Sequence, residues 1–468
     1  MSLVYGDDKG LDERIDKALG DARLSTTLQA SRRHLLDFRA AVEVRHPDWA
    51  ARVERAKAIR TSAVERAPEL LDRFEQAVTS RGGSVIRAAT PDDAVRAVLE
   101  IARRRGVKTI AKGKTMISEE IELNGALEAA GLTPVETDLG EWIVQLAGER
   151  PSHILAPVIH RSRGQIAEVL AIHRGGGPMS DDPTGLVTYS REALRSVFQE
   201  AEMGITGGNY LVAETGTVVL LENEGNGRLA SSLPRVHVVL AGLERVLETT
   251  ADAAFMVEQL TLGAVGRELP AYVSWLSGPA VDGDDGPEEF VVIVLDNGRS
   301  RVRESDEREI LNCIRCGSCL TVCPVYSKVG GHAYGSVYGG PIGAVLTPLL
   351  TDMQPGLGRK LPFLSSLCGA CSDACPVGIP LHDLLVRDRT LANRAGAAGR
   401  GERAAWSAWS RAWSSPRLYR ASARAGAHSG PFARAFGPGA KWLDGRATLP
   451  LPSSKPFHRR WSELENER

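Results

Sequence analysis

The chain has 468 residues, 43% of them hydrophobic and 25% charged, with a formal net charge of -1. That length exceeds one ordinary domain, and the composition is that of a globular protein with two or three folding units. A charge near zero excludes any global pull toward nucleic acid or an anionic membrane, leaving only local patches.

The opening "MSLVYGDDKG" lacks the basic start and apolar run of a secretory signal, so the expected compartment is the cytoplasm. From about Leu11 to Gln76 apolar residues such as Leu35, Val42, Leu70, Leu71 and Phe74 recur at helical spacing among charges. Residues 1–80 therefore read as a helical extension, ended by Arg81-Gly82-Gly83.

Residues 81–297 change rhythm. "SVIRA" is followed by a helix entered through "TPDD", with Thr90 as cap, Pro91 in the first turn and acids beside the dipole, and then by "VKTIA". Further strand candidates are "PVET", "WIVQL", "YLVAE", "TVVLL", "VHVVL" and "FVVIVL". Strands alternating with helices predict a Rossmann-like, doubly wound α/β domain. Within it, Glu214, Thr215, Glu222 and Glu224 are placed where strand ends bind ligands. The plainer reading makes "NEGNG" a hairpin turn after a buried strand Thr217–Leu221. Lys112 and Lys114 follow a strand and could meet a carboxylate or phosphate, although surface lysines are common. No G-x-G-x-x-G follows a strand and no P-loop is present, so the chain shows no nucleotide site of its own.

After the turn at Asn297-Gly298, residues 298–395 read as a small helical cysteine domain, with "DERE" from Asp306 leading into Cys313. All seven cysteines lie here, in CxxC spacing, which points to metal rather than disulfides. Cys313-x2-Cys316-x2-Cys319-x3-Cys323-Pro324 is the full bacterial ferredoxin spacing, whose fourth cysteine serves the other cluster. The second run, Cys368-x2-Cys371-x3-Cys375-Pro376, has only three. Crossing gives one [4Fe–4S] cluster held by Cys313, Cys316, Cys319 and Cys375, and a second held by Cys323, Cys368 and Cys371. The missing ligand position falls on Ser365, a poor iron ligand unless deprotonated. Structural zinc also uses CxxC pairs, but two runs ending in Cys-Pro argue for iron–sulfur clusters.

Between the runs, "VGGHAYGSVYGGPIGAVLTPLL" is too broken by Gly and Pro for a membrane span and reads as a buried connection. Residues 396–468 form a basic segment, thirteen Arg or Lys against five acids, containing "AAWSAWSRAWSS". On a helix Trp406, Trp409 and Trp413 share one face; packing on the protein's own core is slightly favoured over a partner interface.

"AKGKTMISEEIELNGALEAAGLTPVETDLGEWIVQLAGERPSHILAPVIH", "AETGTVVLLENEGN" and the two cysteine runs, in that order, resemble the lactate-utilisation protein B family, with the likeness reaching the final "PFHRRW". The resemblance implies an α/β domain similar to sugar-phosphate isomerases and CoA transferases, fused to a two-cluster ferredoxin domain. It also implies a part in oxidising L-lactate to pyruvate beside two companion proteins, with Cys313, Cys316, Cys319, Cys323, Cys368, Cys371 and Cys375 as cluster ligands and no catalytic residue specified. The leading expectation is an electron-transfer subunit that binds no nucleic acid and is not itself transmembrane, passing electrons to an acceptor the sequence does not identify. The rivals are an enzyme binding the hydroxy acid itself, through the α/β domain or an open cluster iron, and an α/β docking scaffold.

Overall fold

Thr90 opens its helix through a reciprocal cap: its hydroxyl accepts the Asp93 N–H at 3.2 Å while Asp93 accepts the Thr90 N–H at 3.0 Å. Gly106, at φ +63, closes the same helix, Pro91–Arg105. The computed structural model, which describes residues 3–281, 284–422 and 457–466, builds ten strands around such helices. They are β1 (Ser84–Ala88), β2 (Thr109–Lys112), β3 (Thr133–Glu136), β4 (Met203–Gly207), β5 (Tyr210–Val212), β6 (Thr217–Glu222), β7 (Val236–Gly242), β8 (Val246–Leu247), β9 (Tyr272–Leu276) and β10 (Glu289–Leu295).

Six of them form one parallel sheet in the order β1-β10-β7-β4-β2-β3. Its central strands are buried throughout, as unbroken runs such as "VHVVL" and "FVVIVL" require of a sheet covered on both faces. Each such fully buried Val, Ile or Leu contributes roughly 1.5–3 kcal/mol. The α/β architecture read from the sequence is thus present. A second sheet, β8-β5-β6-β9, was not foreseen.

Two local expectations are corrected, and two further elements were not foreseen. "WIVQL" is not a strand but part of the helix Leu139–Leu146, because Asp138 caps it by accepting the Glu141 N–H at 3.1 Å and its apolar residues face inward as a helix. "NEGNG" is not the hairpin turn: β5 and β6 are joined through Ala213–Gly216, and Asn226 begins a short helix, Asn226–Ser232. Strand β4, "MGITG", carries little strand propensity because Gly204 must be glycine; a Cβ there would sit 1.7 Å from the Ala230 carbonyl oxygen of that helix. Finally, half of the glycine-rich connection is a helix, Gly340–Leu350, buried at every residue.

Residues Met1–Ala395 form one compact unit and Gly396–Arg468 another. The first is held by buried charge as well as apolar packing. Arg60, from the helix Trp49–Glu65, donates to the carbonyls of Leu311 at 3.0 Å, Asn312 at 3.2 Å and Val246 at 3.4 Å, and to that of Glu244. Arg299 lies between Glu120 at 2.5 Å and Glu244 at 2.7 Å, all three buried. These contacts tie the N-terminal helices, the sheets and the segment entering Cys313 together.

In the second unit, the helix Arg400–Ser414 buries none of its residues. Trp406, Trp409 and Trp413 share one face of it and pack on one another, with ring centroids 5.6 and 4.9 Å apart. The resembling "PFHRRW" lies partly in a further helix, Phe457–Asn466. Among the described residues no helix is long and apolar enough to cross a membrane.

Candidate metal centre

The first cysteine run leaves a short 3-10 turn, Arg308–Asn312, and then reverses through two left-handed residues, Arg315 at φ +61 and Gly317 at φ +78. Such turns aim successive N–H groups inward, toward whatever the thiols surround. The Arg315 N–H donates to Cys313 Sγ at 3.4 Å, and the short helix Ser318–Val322 carries Cys319. A Cβ at Gly317 would lie 3.1 Å from His153 Cε1, so any side chain there would have to push that ring aside.

The second run repeats this path. Leu367 and Gly369 take φ +55 and +83, and the short helix Ala370–Asp373 carries Cys371. The Leu367 N–H donates to Ser365 Oγ at 3.2 Å, as the Arg315 N–H does to Cys313. Ser365 therefore occupies the place of Cys313, with its hydroxyl where that residue has its thiol. Spacing alone had located the position; the shared hydrogen bond fixes the direction of the side chain.

The seven thiols fall into two groups that cross between the runs. Cys313, Cys316, Cys319 and Cys375 line one cavity together with Ile154, Ile342 and Val377. Burial, with Cys313, Cys316 and Cys375 beside it, raises the Cys319 thiol well above its usual range, and burial next to Cys316 and Cys313 pushes Cys375 up to about 12. Burial, then neighbouring Cys323 and Cys368, pushes Cys371 up to about 11, while Cys323 is raised by burial with Cys368 nearby. Exposed Cys368 is lowered instead, by the Ala370 N–H and Ser366; the buried thiols facing one another resist becoming thiolates unless a cation compensates them, so the buried members of both sets suit a metal-bearing group.

Their spacing suits a large one. Among the described residues, the group of three His, Cys, Asp or Glu ligand atoms mutually within 4.8 Å is Glu119, Glu136 and Glu141, with no cysteine in it. Around a single tetrahedral zinc, sulfurs at ~2.3 Å from the ion would stand about 3.8 Å apart. No three of the thiols stand as close together as a single zinc ion would hold them.

Outside the cysteine runs, Lys112 is not a surface lysine. It is fully buried, paired with Glu136, 2.8 Å from Asn124 Oδ1 and 3.9 Å from Glu119. Glu141 beside them is raised well above the carboxylate range by burial and by Glu136. Lys114 donates to the Leu155 carbonyl at 2.5 Å. Glu214 and Thr215 serve local structure: Glu214 accepts from the Thr250 N–H at 2.9 Å, and Thr215 donates to Thr217. Glu222 accepts the Gly227 and Arg228 N–H groups, and Glu224 accepts that of Leu139 at 3.0 Å. Sequence reasoning missed Arg60, Glu244, Arg299 and Arg315. The signal available for Arg315 was a bulky cation inside a CxxC gap where a small residue would turn more easily.

The chain matches the model of the LUD domain over residues 71–295 and that of the 4Fe-4S dicluster domain over residues 309–379. It is 42% identical over 392 residues to "Lactate utilization protein B" of Exiguobacterium sp. (strain ATCC BAA-1283 / AT1b), covering 84% of this chain and 83% of that one. It is 39% identical over 459 residues to the protein of the same name in Shouchella clausii, covering 96% of each. Against that of Bacillus pumilus it is 38% identical over 476 residues, covering all of both.

Proposed function

Starting from the fact that this chain belongs to the lactate utilization protein B family, we propose that it is an electron-transfer subunit in the oxidation of L-lactate to pyruvate, working beside companion proteins in the cytoplasm. Cys313, Cys316, Cys319 and Cys375 would hold one [4Fe–4S] cluster, and Cys323, Cys368 and Cys371 another with one position short of a cysteine, that of Ser365. Such clusters supply one-electron redox chemistry, while the protein tunes it by ligands, hydrogen bonds and burial.

The observation that carries this reading is the pair of thiol groups with different access to solvent. In the first group Cys313, Cys316 and Cys319 are buried and Cys375 is half-buried, whereas the second group reaches the surface at Cys368. The chain's own part is to keep water from the first group with Ile154, Ile342 and Val377, to fix the loops through Gly317 and Gly369, and to bring both groups within one compact unit. In this reading residues 1–80 are a helical extension, 81–297 the LUD-type domain, 298–395 the cluster domain and 396–468 a basic segment for companion contacts.

The test is anaerobic purification followed by addition of L-lactate with and without the companions, recording the visible absorption of the clusters. Bleaching that requires the companions is expected. Bleaching of the isolated chain would replace a relay with an enzyme that oxidises the hydroxy acid itself.

A further inference from the structure

A second cavity, of about 300 Å³, opens where the parallel sheet meets the first cysteine loop. It lies at the C-terminal ends of β2, β4 and β7, the edge at which open α/β sheets bind ligands, with Gly113, Gly207 and Gly208 leaving backbone exposed to it. Ile314 and Arg315, between Cys313 and Cys316, form part of its wall. This cavity and the one lined by the first thiols share Ile154 and Ile314.

Its charges are sorted. One part carries Arg245 and Arg315, which have Glu244 as their common carboxylate at 3.9 and 3.3 Å, yet Glu244 is also committed to Arg299 at 2.7 Å. Arg315 keeps Nε and Nη1 buried without a partner, with Tyr338 4.6 Å from its guanidinium carbon. The other part carries Asp138, Glu222 and Glu224 with Lys114. Guanidinium nitrogens short of a partner suit a carboxylate, and the carboxylates of the other charge cluster suit a hydroxyl.

We infer that this cavity binds a small 2-hydroxycarboxylate or its 2-oxo counterpart, the carboxylate against Arg315 and Arg245, next to the loop of Cys313 and Cys316. The choice of lactate and pyruvate as probes rests on the function proposed above; the carboxylate site rests on the cavity. Isothermal titration calorimetry on the full-length, iron-loaded, oxidised chain without companions should show uptake of L-lactate or pyruvate, and R315Q and R245Q should each weaken it by about tenfold or more. R245K should recover part of the loss. R245Q lies outside the cysteine runs, so it remains informative if R315Q loses iron. The inference is overturned if the iron-loaded wild-type chain takes up neither acid at up to roughly 10 mM, if R245Q binds as wild type, or if inorganic phosphate binds more tightly than either acid. Absent uptake combined with companion-dependent bleaching would remove the cavity and keep the relay; uptake without any bleaching would do the reverse.

Discussion

The two cysteine loops follow one backbone path in two settings. Each turns through a pair of left-handed residues and each donates an N–H to the first ligand position, yet Cys313, Cys316 and Cys319 are buried while Cys368 is exposed. Arg315 in one loop reaches Glu244 and a charged cavity; Leu367, its counterpart, carries no charge into its surroundings. Backbone conformation thus fixes how thiols are presented, and the packing around each loop decides what can approach them. A repeat in sequence yields two sites with different access.

The sharpest way to break that comparison is Cys375→Ser. If the groups cross, the loss falls on the set of Cys313, Cys316 and Cys319, although Cys375 is a neighbour of Cys371 in sequence. About half of the bound iron should be lost and the resonance of the second cluster retained, by iron analysis and electron paramagnetic resonance. Loss of the signal that Ser365→Cys alters would assign Cys375 to the other set.

Glu244→Gln tests the buried support that only the first loop has. Removing one partner of a buried ion pair costs roughly 3–5 kcal/mol, here leaving Arg299 and Arg315 undercompensated; urea denaturation should report it. Glu244 is fully buried, which by itself would raise its pKa, but Arg299, Arg315 and Arg245 hold it down at about 2. Its folded pKa lies below the unfolded value, so its contribution is complete above about pH 4.5 and is lost as pH falls toward 2. The variant should lack that part of the acid slope.

Gly317→Ala and Gly369→Ala compare the loops directly. Both positions have positive φ, worth about 1 kcal/mol against alanine, but only at Gly317 does a Cβ meet a neighbour, His153, among the described residues. Gly317→Ala should therefore destabilise more, by thermal denaturation. The smallest effect belongs to Ser365→Cys, which should leave the melting temperature unchanged and alter only the resonance of the second cluster. A change in the first cluster's signal would show that Ser365 does not take the place of Cys313.

The parallel sheet was legible because β7 and β10 are long, apolar and β-branched, and the Thr90 cap because its chemistry is local. "WIVQL" misled because β-branched content speaks for a strand while the Asp138 cap speaks for a helix, and only packing decides. Strand β4 was hidden because a helix backbone crosses it at Gly204, trading propensity for contact. The cysteine positions were legible from spacing. The partners of Arg60 and Arg315 were not, since Arg60 meets residues 184 to 252 positions away, and no local pattern announces such a pairing.

Arg60 also bears on the order in which the molecule can be made. The arginine leaves the ribosome early, but the Leu311 and Asn312 carbonyls it must reach are synthesised some 250 residues later; at ~5–20 residues per second that is a wait of roughly 10–50 s. During that interval its guanidinium has to stay hydrated, so the crevice it finally fills cannot close early. The segment entering Cys313 is locked only when that crevice closes around it, which makes docking of the N-terminal helices a late, long-range folding step rather than an early local one. Iron delivered after synthesis would then meet thiols already arranged, and a chain beginning after Glu65, which lacks Arg60, should be slow to retain iron even though every cysteine is present.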